Sequence, residues 1–312
     1  MRLLLTLCFG LVSLIAPAQF NSENLALEQD ARVVTKYTLD KLRVYPIRAN
    51  ETFRSELKDV GSYNNLEKAI KGKKVKITEV SESGTVNTLY AKNVSKDPIY
   101  IMAGEVVKGG KQDRIIGQDI VLAPGESKNL AAFCVEQGRW SQKSSGSRFT
   151  GYMNVSSNSI RKQAVINKNQ SAVWEEVEEV VTAYGAKSDT GAYTELENSE
   201  EYNKEIEKYL KHFSGAWRND PTIVGVVAVT EDRIIGCDIF ATHELFVNAY
   251  DNLIHAYVTE AITDGDKVTI TPTKVQKYLD QFLANEADQE KKLEGKGAVF
   301  KHKGKKLHVS KF

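Results

Sequence analysis

Residues 74–140 read KVKITEVSESGTVNTLYAKNVSKDPIYIMAGEVVKGGKQDRIIGQDIVLAPGESKNLAAFCVEQGRW, and this stretch decides the fold. Turn-forming pairs such as Ser83-Gly84 and Pro124-Gly125 separate short apolar runs. The runs cover residues 75–80, 85–94, 99–107, 114–122 and 129–135. Strands joined by tight turns have this spacing. We therefore expect an antiparallel sandwich or barrel in this part of the chain.

The pattern changes after this stretch. Residues 141–170 are rich in Ser, Asn, Gln and Gly, which is typical of a long loop. Apolar residues then recur at helical spacing, with Ser199 placed to cap one helix and Thr271-Pro272 to begin another. The sequence predicts the α+β class. We expect one domain over residues 19–312, made of a sandwich-like β-rich part (30–140), a loop (141–170) and a mixed helix and strand part (171–312).

The N-terminus has the three parts of a secretory signal peptide. Arg2 is the charged start, residues 3–15 are an apolar run, and Ala16-Pro17-Ala18 forms an A-x-A cleavage site. We expect cleavage before Gln19 and export to the periplasm or the medium. The apolar run is shorter than the roughly 20 residues that span a bilayer, so no transmembrane anchor is expected in the mature chain.

The charge balance argues against nucleic acid as a partner. Of the 42 basic residues only Arg2 lies in the predicted signal, so the mature chain has 41 basic and 41 acidic residues. Nucleic-acid binding draws its affinity from neutralised phosphates and favours a basic surface. The sequence does not identify a protein partner.

Cysteine and histidine usage limits the redox and metal chemistry. The mature chain keeps Cys134 and Cys237, which export would allow to pair. Both lie in apolar strand-like runs, where a cysteine acts as a small buried hydrophobe, so we expect two free thiols. Two cysteines without a nearby histidine do not make a zinc site. Residues 19–211 contain no histidine, which disfavours a metal-binding double-stranded β-helix enzyme. No metal or cofactor is predicted.

The first polar motif is Gly104-Glu105 followed by Gly109-Gly110-Lys111-Gln112-Asp113-Arg114. Adjacent glycines allow a tight turn that exposes amide groups, and Lys111 and Arg114 add positive charge, so the motif could bind an anion. It is not a P-loop, because glycine stands where the lysine is required. The alternative is a hairpin turn with solvated charges.

The second polar motif is Cys134-Val135-Glu136-Gln137-Gly138-Arg139-Trp140, at the end of an apolar strand. An indole can stack on a ring, a guanidinium can hold phosphate or carboxylate, and a carboxylate can accept from hydroxyls. The alternative is an ion pair between Glu136 and Arg139 at the strand end. Hairpin pairing predicts that the two motifs meet in space, with Arg114 near Glu136 and with Lys111 and Gln112 near Arg139 and Trp140.

Two octapeptides, 113–120 (DRIIGQDI) and 232–239 (DRIIGCDI), are identical at seven of eight positions. Duplication would make the two segments symmetry-related strands. Their flanks show no comparable identity, which favours two similar strands that arose independently.

The motifs resemble an uncharacterised family, the ADP-ribosylglycohydrolase and rhodanese-phosphatase associated protein domain. The likeness spans nearly the whole mature chain and is most specific at 134–140. Further matching segments are 77–84, 104–105, 110–114, 172–174, 188–191, 225–227, 236–240 and 308–312. The association of this family with ADP-ribose and NAD-related genes implies a nucleotide-sugar ligand.

Two functions follow as hypotheses. One is an exported protein that binds or processes a small anionic or sugar-nucleotide-like ligand at a polar cluster. Its candidate residues are Glu105, Lys111, Gln112, Arg114, Glu136, Gln137, Arg139 and Trp140. The other is a non-enzymatic structural or interaction module of the cell envelope, in which these residues form buried networks. Convergence in an open cleft would favour the first hypothesis, and pairing beneath the surface would favour the second.

Overall fold

The computed structural model describes residues 20–80, 87–139, 148–186, 189–284 and 286–312. The strands are β1 (Leu25–Leu27), β2 (Thr38–Leu39), β3 (Leu42–Ala49), β4 (Asn64–Asn65), β5 (Val75–Glu79), β6 (Thr88–Asn93), β7 (Ile99–Ile101), β8 (Glu105–Gly109), β9 (Arg114–Ile116), β10 (Ile120–Leu122), β11 (Ser127–Cys134), β12 (Arg148–Val155), β13 (Ile223–Thr230), β14 (Arg233–Phe240), β15 (Gly297–His302) and β16 (Lys305–Lys311). The α-helices are α1 (Ala31–Lys36), α2 (Glu51–Leu57), α3 (Leu66–Lys71), α4 (Asn158–Lys162), α5 (Gln170–Ala183), α6 (Glu200–Phe213), α7 (His243–Asp264), α8 (Pro272–Leu283) and α9 (Glu286–Leu293). A π-helical turn spans Gln163–Asn167 and a 3-10 helix spans Tyr193–Asn198.

Strands from the N-terminal half close into a barrel in the order β11, β6, β5, β12, β8 and β9. Every neighbouring pair within it is antiparallel. Alternate residues point inward, so Ile77, Leu89, Val107 and Leu130 fill the interior. The predicted α+β class is confirmed. The turn spacing allowed a sandwich or a barrel, and the structure has a closed barrel instead of the sandwich-like arrangement expected for residues 30–140.

Two predicted strands are each divided into two. The run 99–107 forms β7 and β8, separated at Gly104, whose φ of +97° is readily adopted only by glycine. The run 114–122 forms β9 and β10, separated at Gly117. The barrel takes β8 and β9, whereas β7 and β10 pair with each other in a small sheet that β4 extends. Each of these two apolar runs therefore contributes one strand to the barrel and one strand to the small sheet.

A seven-stranded sheet joins the two ends of the chain, in the order β1, β3, β13, β14, β16 and β15, with β2 also on β3. Its strand β14 contains Cys237, in agreement with the strand-like run expected there. The helix α7 packs against β13 and β14 and is buried along most of its length. Among the described helices, none combines the length and the apolar character that crossing a membrane requires.

The helix starts at Ser199 and Thr271 are confirmed. Each side chain accepts a hydrogen bond from a backbone amide of the first turn, and proline occupies the first helical position after Thr271. The expected loop over 141–170 is wrong from residue 148 onward, where β12, α4 and the π-turn follow one another. Register shifts in the pairing of β12 with β8 interrupt the alternation of apolar residues that would have revealed the strand. The remainder, 141–147, lies outside the described residues.

Candidate functional site

The first predicted motif folds as a glycine turn between β8 and β9, at one end of the barrel. Gly109 and Gly110 have φ of +123° and +56°, and a Cβ on Gly110 would lie 2.2 Å from the Phe149 ring. The Gly109 amide donates to Asp113 Oδ1 (2.8 Å) and the Lys111 amide donates to Glu79 Oε1 (3.0 Å). The turn therefore does hold anionic groups, as its glycines predict, but they are carboxylates of the protein itself.

The buried Arg114 occupies the same end of the barrel. Its strand partner is Cys134, and both side chains continue the inward-facing rows of the barrel core. The Arg114 guanidinium donates to Cys134 Sγ (2.9 Å) and Gln112 Oε1 (3.3 Å) and lies 3.7 Å from Glu79 Oε1. Burial raises the pKa of the Cys134 thiol to about 11, so it stays protonated at neutral pH. A buried, protonated thiol packs as a small apolar group and is a poor nucleophile.

The second predicted motif supplies a bidentate ion pair. Arg139 Nε donates to Glu136 Oε1 (2.8 Å) and Oε2 (2.9 Å), and its Nη2 contacts Asp113 Oδ1 at 3.1 Å. Thr190 also donates to Glu136 (2.9 Å), and Thr194 to Asp113 (2.7 Å). Burial alone would raise the pKa of Glu136, but Arg139, the Asp113 amide and Thr190 lower it below its ordinary value. Both carboxylates are thus satisfied within the protein.

The predicted meeting of the two motifs is confirmed, because β9 pairs with β11. Gln112 Nε2 donates to the carbonyl of Gln137 (3.2 Å), and Arg139 Nη1 donates to that of Gly110 (3.3 Å). We call the joined set the mouth network; its members are Glu79, Lys111, Gln112, Asp113, Arg114, Cys134, Glu136, Gln137, Arg139, Thr190 and Thr194. Trp140 lies outside the described residues.

Most of the mouth network lies beneath the surface. The side chains of Arg114, Glu136 and Asp113 are 0, 5 and 9% exposed, whereas that of Arg139 is 37% exposed. At this cluster Arg114, Glu136 and Asp113 pair beneath the surface, as the structural hypothesis expects, whereas Arg139 is partly exposed. The ion pair between Glu136 and Arg139 is the contact that the alternative interpretation of this motif predicted.

Glu105, the remaining predicted site residue, is not in the mouth network. It lies at the start of β8, where it accepts hydrogen bonds from the Met102 amide (2.7 Å) and the Tyr152 hydroxyl (2.9 Å). Burial raises its pKa to about 8. Glu105 is therefore largely protonated at neutral pH, and it belongs to the interior of the protein.

A second polar cluster, which the sequence did not predict, is a buried chain of alternating charges. His308 on β16 lies between Asp119, on the β9–β10 connection, and Asp238, on β14. Its Nδ1 is 3.2 Å from both oxygens of Asp119, and its Nε2 is 2.9 Å from Asp238 Oδ1. Arg161 on α4 forms a bidentate pair with Asp238 at 2.9 and 3.2 Å. We call Arg161, Asp238, His308 and Asp119 the charge chain.

Gly104 leaves space for the charge chain, and aromatic rings pack against it. A Cβ on Gly104 would lie 2.6 Å from Arg161 Nε, so only glycine leaves space for that side chain. The ring of Phe240 stacks on His308 at 4.3 Å, and the ring of Phe312 lies 4.8 Å from the Arg161 guanidinium. Several segments that carry the family resemblance, 104–105, 236–240 and 308–312, therefore meet at this cluster.

The two carboxylates fix the charge of His308. Burial would lower the pKa of the imidazole, but Asp119 and Asp238 raise it to about 9. The pKa values of both carboxyls are lowered in turn, against the effect of their own burial. At neutral pH the chain holds two cations and two anions, and both ring nitrogens of His308 donate. Such a chain orients charge and does not supply a proton acceptor near neutrality.

The two similar octapeptides contribute Asp119 and Asp238 to the charge chain, at equivalent positions. The segments are not equivalent strands, since 113–120 divides into β9 and β10 in two sheets whereas 232–239 lies in the β14 region of one sheet. Both carboxylates nevertheless bind His308. The repeated sequence marks both carboxylates of this cluster, but it does not reveal the histidine that joins them.

A cleft of about 260 Å³ opens beside the charge chain. The β9–β10 connection with Asp119, the strand β11 and the strand β15 form its floor and walls, and Lys168 follows the π-turn at its edge. The rings of Phe133 and Phe300 line it, and Phe300 stacks on Tyr100 at 6.0 Å. Apolar walls with few polar groups are typical of small-molecule sites.

The chain belongs to the ARG and Rhodanese-Phosphatase-superfamily-associated Protein domain family, whose model matches residues 30–311. The resemblance inferred from the motifs is thereby confirmed. Comparisons with curated proteins and with solved structures found no match. Within the described ranges, no group of three or more histidine, cysteine or acidic side chains has the arrangement of a metal site.

Proposed function

We propose that the protein is an exported small-molecule-binding protein whose ligand occupies the cleft between the barrel and the terminal hairpin. The observation that carries this proposal is the position of Asp119. Its side chain is 5% exposed, it lines the cleft, and the charge chain holds it ionised. A pre-oriented carboxylate among aromatic walls is the kind of polar group that fixes a ligand in an apolar site.

The sequence suggested a small-molecule-binding function at the two polar motifs. This proposal keeps that class of function but places the ligand in the cleft. At the mouth network, the turn amides of Gly109 and Lys111 and the Arg139 guanidinium bind carboxylates of the protein. A ligand anion there would have to displace Glu136 or Asp113 and leave that buried carboxylate without its partner, which is costly. The cleft requires no such exchange. The export component rests on the signal peptide pattern.

A second candidate function is the structural module, and the mouth network favours it. Thr190 and Thr194 tie the segment around the 3-10 helix to the barrel through Glu136 and Asp113. Gly138 also donates its amide to the carbonyl of Thr190 at 2.7 Å. Under this candidate function, the two polar motifs stabilise the fold, and the protein works by contacts on its surface.

The test is a fragment screen by NMR with a variant that fills the cleft. Ala298 lies on the edge strand β15 and lines the cleft, so Ala298→Trp closes it with little demand on the core. The control, Val268→Trp, fills a separate depression of about 430 Å³ beside Lys41 and Arg43. We expect fragments to shift cleft amides in the wild type and the control, and not in Ala298→Trp. A screen of neutral, anionic and cationic fragments that never shifts these amides would contradict the proposal.

A further inference from the structure

We propose that the ligand of the cleft is a single-ring compound that carries one negative charge and one neutral hydrogen-bond donor. This inference rests on the proposed function and specifies its ligand class. It follows from three features of the cleft: the free capacity of Asp119, the charge of Lys168 and the aromatic walls.

The Asp119 carboxylate can accept a hydrogen bond from the ligand, so the ligand should carry a donor. Its Oδ1 accepts from the Tyr100 hydroxyl (2.6 Å), the Ala103 amide (3.2 Å) and His308 Nδ1 (3.2 Å). Its Oδ2 contacts only His308 Nδ1, among the described groups, at 3.2 Å. A carboxylate oxygen has two lone pairs, so Oδ2 has acceptor capacity left for a ligand.

That donor should be neutral. Asp119 is already paired with the His308 imidazolium, and Arg161 neutralises Asp238 at the other end of the chain. A ligand ammonium on Asp119 would lie close to the imidazolium in a region of low dielectric, where like charges repel strongly. A hydroxyl or a ring N–H gains the hydrogen bond without that repulsion.

The negative charge of the ligand is matched by Lys168. This residue ends the π-turn with a φ of +50°, is exposed, and lines the cleft. Among the described residues its ammonium makes no ion pair with a carboxylate, so a ligand anion does not have to compete for it. The Asp119 and Lys168 groups thus define the two polar ends of the ligand.

The walls and the volume set the body of the ligand. Phe133 is 5% exposed, and its ring edge packs so closely on Gly117 that a Cβ there would lie 3.0 Å away. Phe300 is held by its stacking on Tyr100. A volume of about 260 Å³ lies below the roughly 300–1,000 Å³ of drug-sized sites, which suits one ring with two substituents.

A matched set of four probes tests each feature separately by NMR titration of the full-length mature protein at pH 7. The set is 4-hydroxybenzoate, benzoate without the donor, 4-hydroxybenzamide without the charge, and 4-(aminomethyl)benzoate with a cationic donor. We expect 4-hydroxybenzoate to bind tightest, by about fivefold over each of the others, since one exposed polar contact changes affinity by about that factor.

The variant Lys168→Met should remove the preference for 4-hydroxybenzoate over 4-hydroxybenzamide, and Lys162→Met on α4 should leave it unchanged. Lys162 is exposed and lines a different depression, so it is a matched control. Equal affinities for the four probes, or tightest binding of the aminomethyl compound, would overturn the ligand class and leave the cleft proposal standing. If other fragments bind in the cleft but none of the four probes does, the ligand class is likewise overturned and the cleft proposal stands. A cleft that binds none of the screened fragments would overturn both.

Discussion

The substitution Arg139→Ala separates the two interpretations of the mouth network. Arg139 forms two hydrogen bonds with Glu136 and one with Asp113, whose side chains are 5 and 9% exposed. Its removal leaves two carboxylates close together and largely desolvated. The loss arises from those stranded acceptors, because the arginine itself is partly in solvent.

Removing one partner of a fully buried ion pair costs about 3–5 kcal/mol, whereas exposed pairs contribute about 0–1 kcal/mol. Since the Arg139 side chain is 37% exposed, we expect an intermediate loss of about 2–3 kcal/mol in the free energy of unfolding. For a chain of this size that corresponds to a fall in Tm of roughly 4–6 °C.

The assay is thermal and denaturant unfolding of the wild type, Arg139→Ala and a control, Arg54→Ala. Arg54 has a similar exposure, 36%, but its partner Glu51 is 79% exposed, so the control should lose at most about 1 kcal/mol. Adding Glu136→Gln to Arg139→Ala should restore part of the loss, because the stranded charge is then absent.

The pH dependence provides a second readout of the same substitution. The pKa of Glu136 is lowered from 4.5 in the native protein, so its contribution is present above that pH and is lost as the pH falls through the lower, native value. Without Arg139 that contribution is reduced, and the difference between wild type and variant should shrink below about pH 4.5. A loss for Arg139→Ala no larger than for Arg54→Ala, with no pH dependence, would refute the structural account of this network.

Three further predictions concern the charge chain, the thiols and export. The pKa of Glu105 is raised from 4.5 to about 8 and that of His308 from 6.5 to about 9. The unfolding free energy should therefore fall through Glu105 as the pH rises from about 4.5 to 8 and through His308 as it rises from about 6.5 to 9, and the slope over the latter range should be smaller in His308→Gln. A flat wild-type profile over that range would contradict the charge chain. Thiol counting in denaturant without reductant should find both Cys134 and Cys237, which are free in the structure; a count of zero would mean a bridge. Intact-mass measurement of native material should give a chain starting at Gln19, and a mass that retains residues 1–18 would contradict export.

The sequence predicts that the two motifs of the mouth network meet, because they lie on neighbouring strands. Arg114 and Cys134 face each other across β9 and β11, and a short hairpin-like connection limits which strands can pair. The run 114–122 does not stay in one sheet, since β10 leaves the barrel and pairs with β7. The sequence also does not reveal that the turn amides are already occupied by Glu79 and Asp113, because the direction of side chains is set by packing.

The charge chain could not be predicted for the opposite reason. Asp119, Arg161, Asp238 and His308 are far apart in sequence, and only the packing of the barrel connection, α4 and the seven-stranded sheet brings them together. Their spacing follows no local period. Gly104 has a visible sequence motif, but its role as a space for the Arg161 side chain depends on a contact 57 positions away in the numbering.

The most direct measurement is a crystal structure of the mature protein soaked with 4-hydroxybenzoate. The account predicts electron density between Phe133 and Phe300, with the hydroxyl on Asp119 and the carboxylate toward Lys168, and an unchanged pair between Glu136 and Arg139. Density at the mouth network, with the probe carboxylate on the Arg139 guanidinium in place of Glu136, would contradict it.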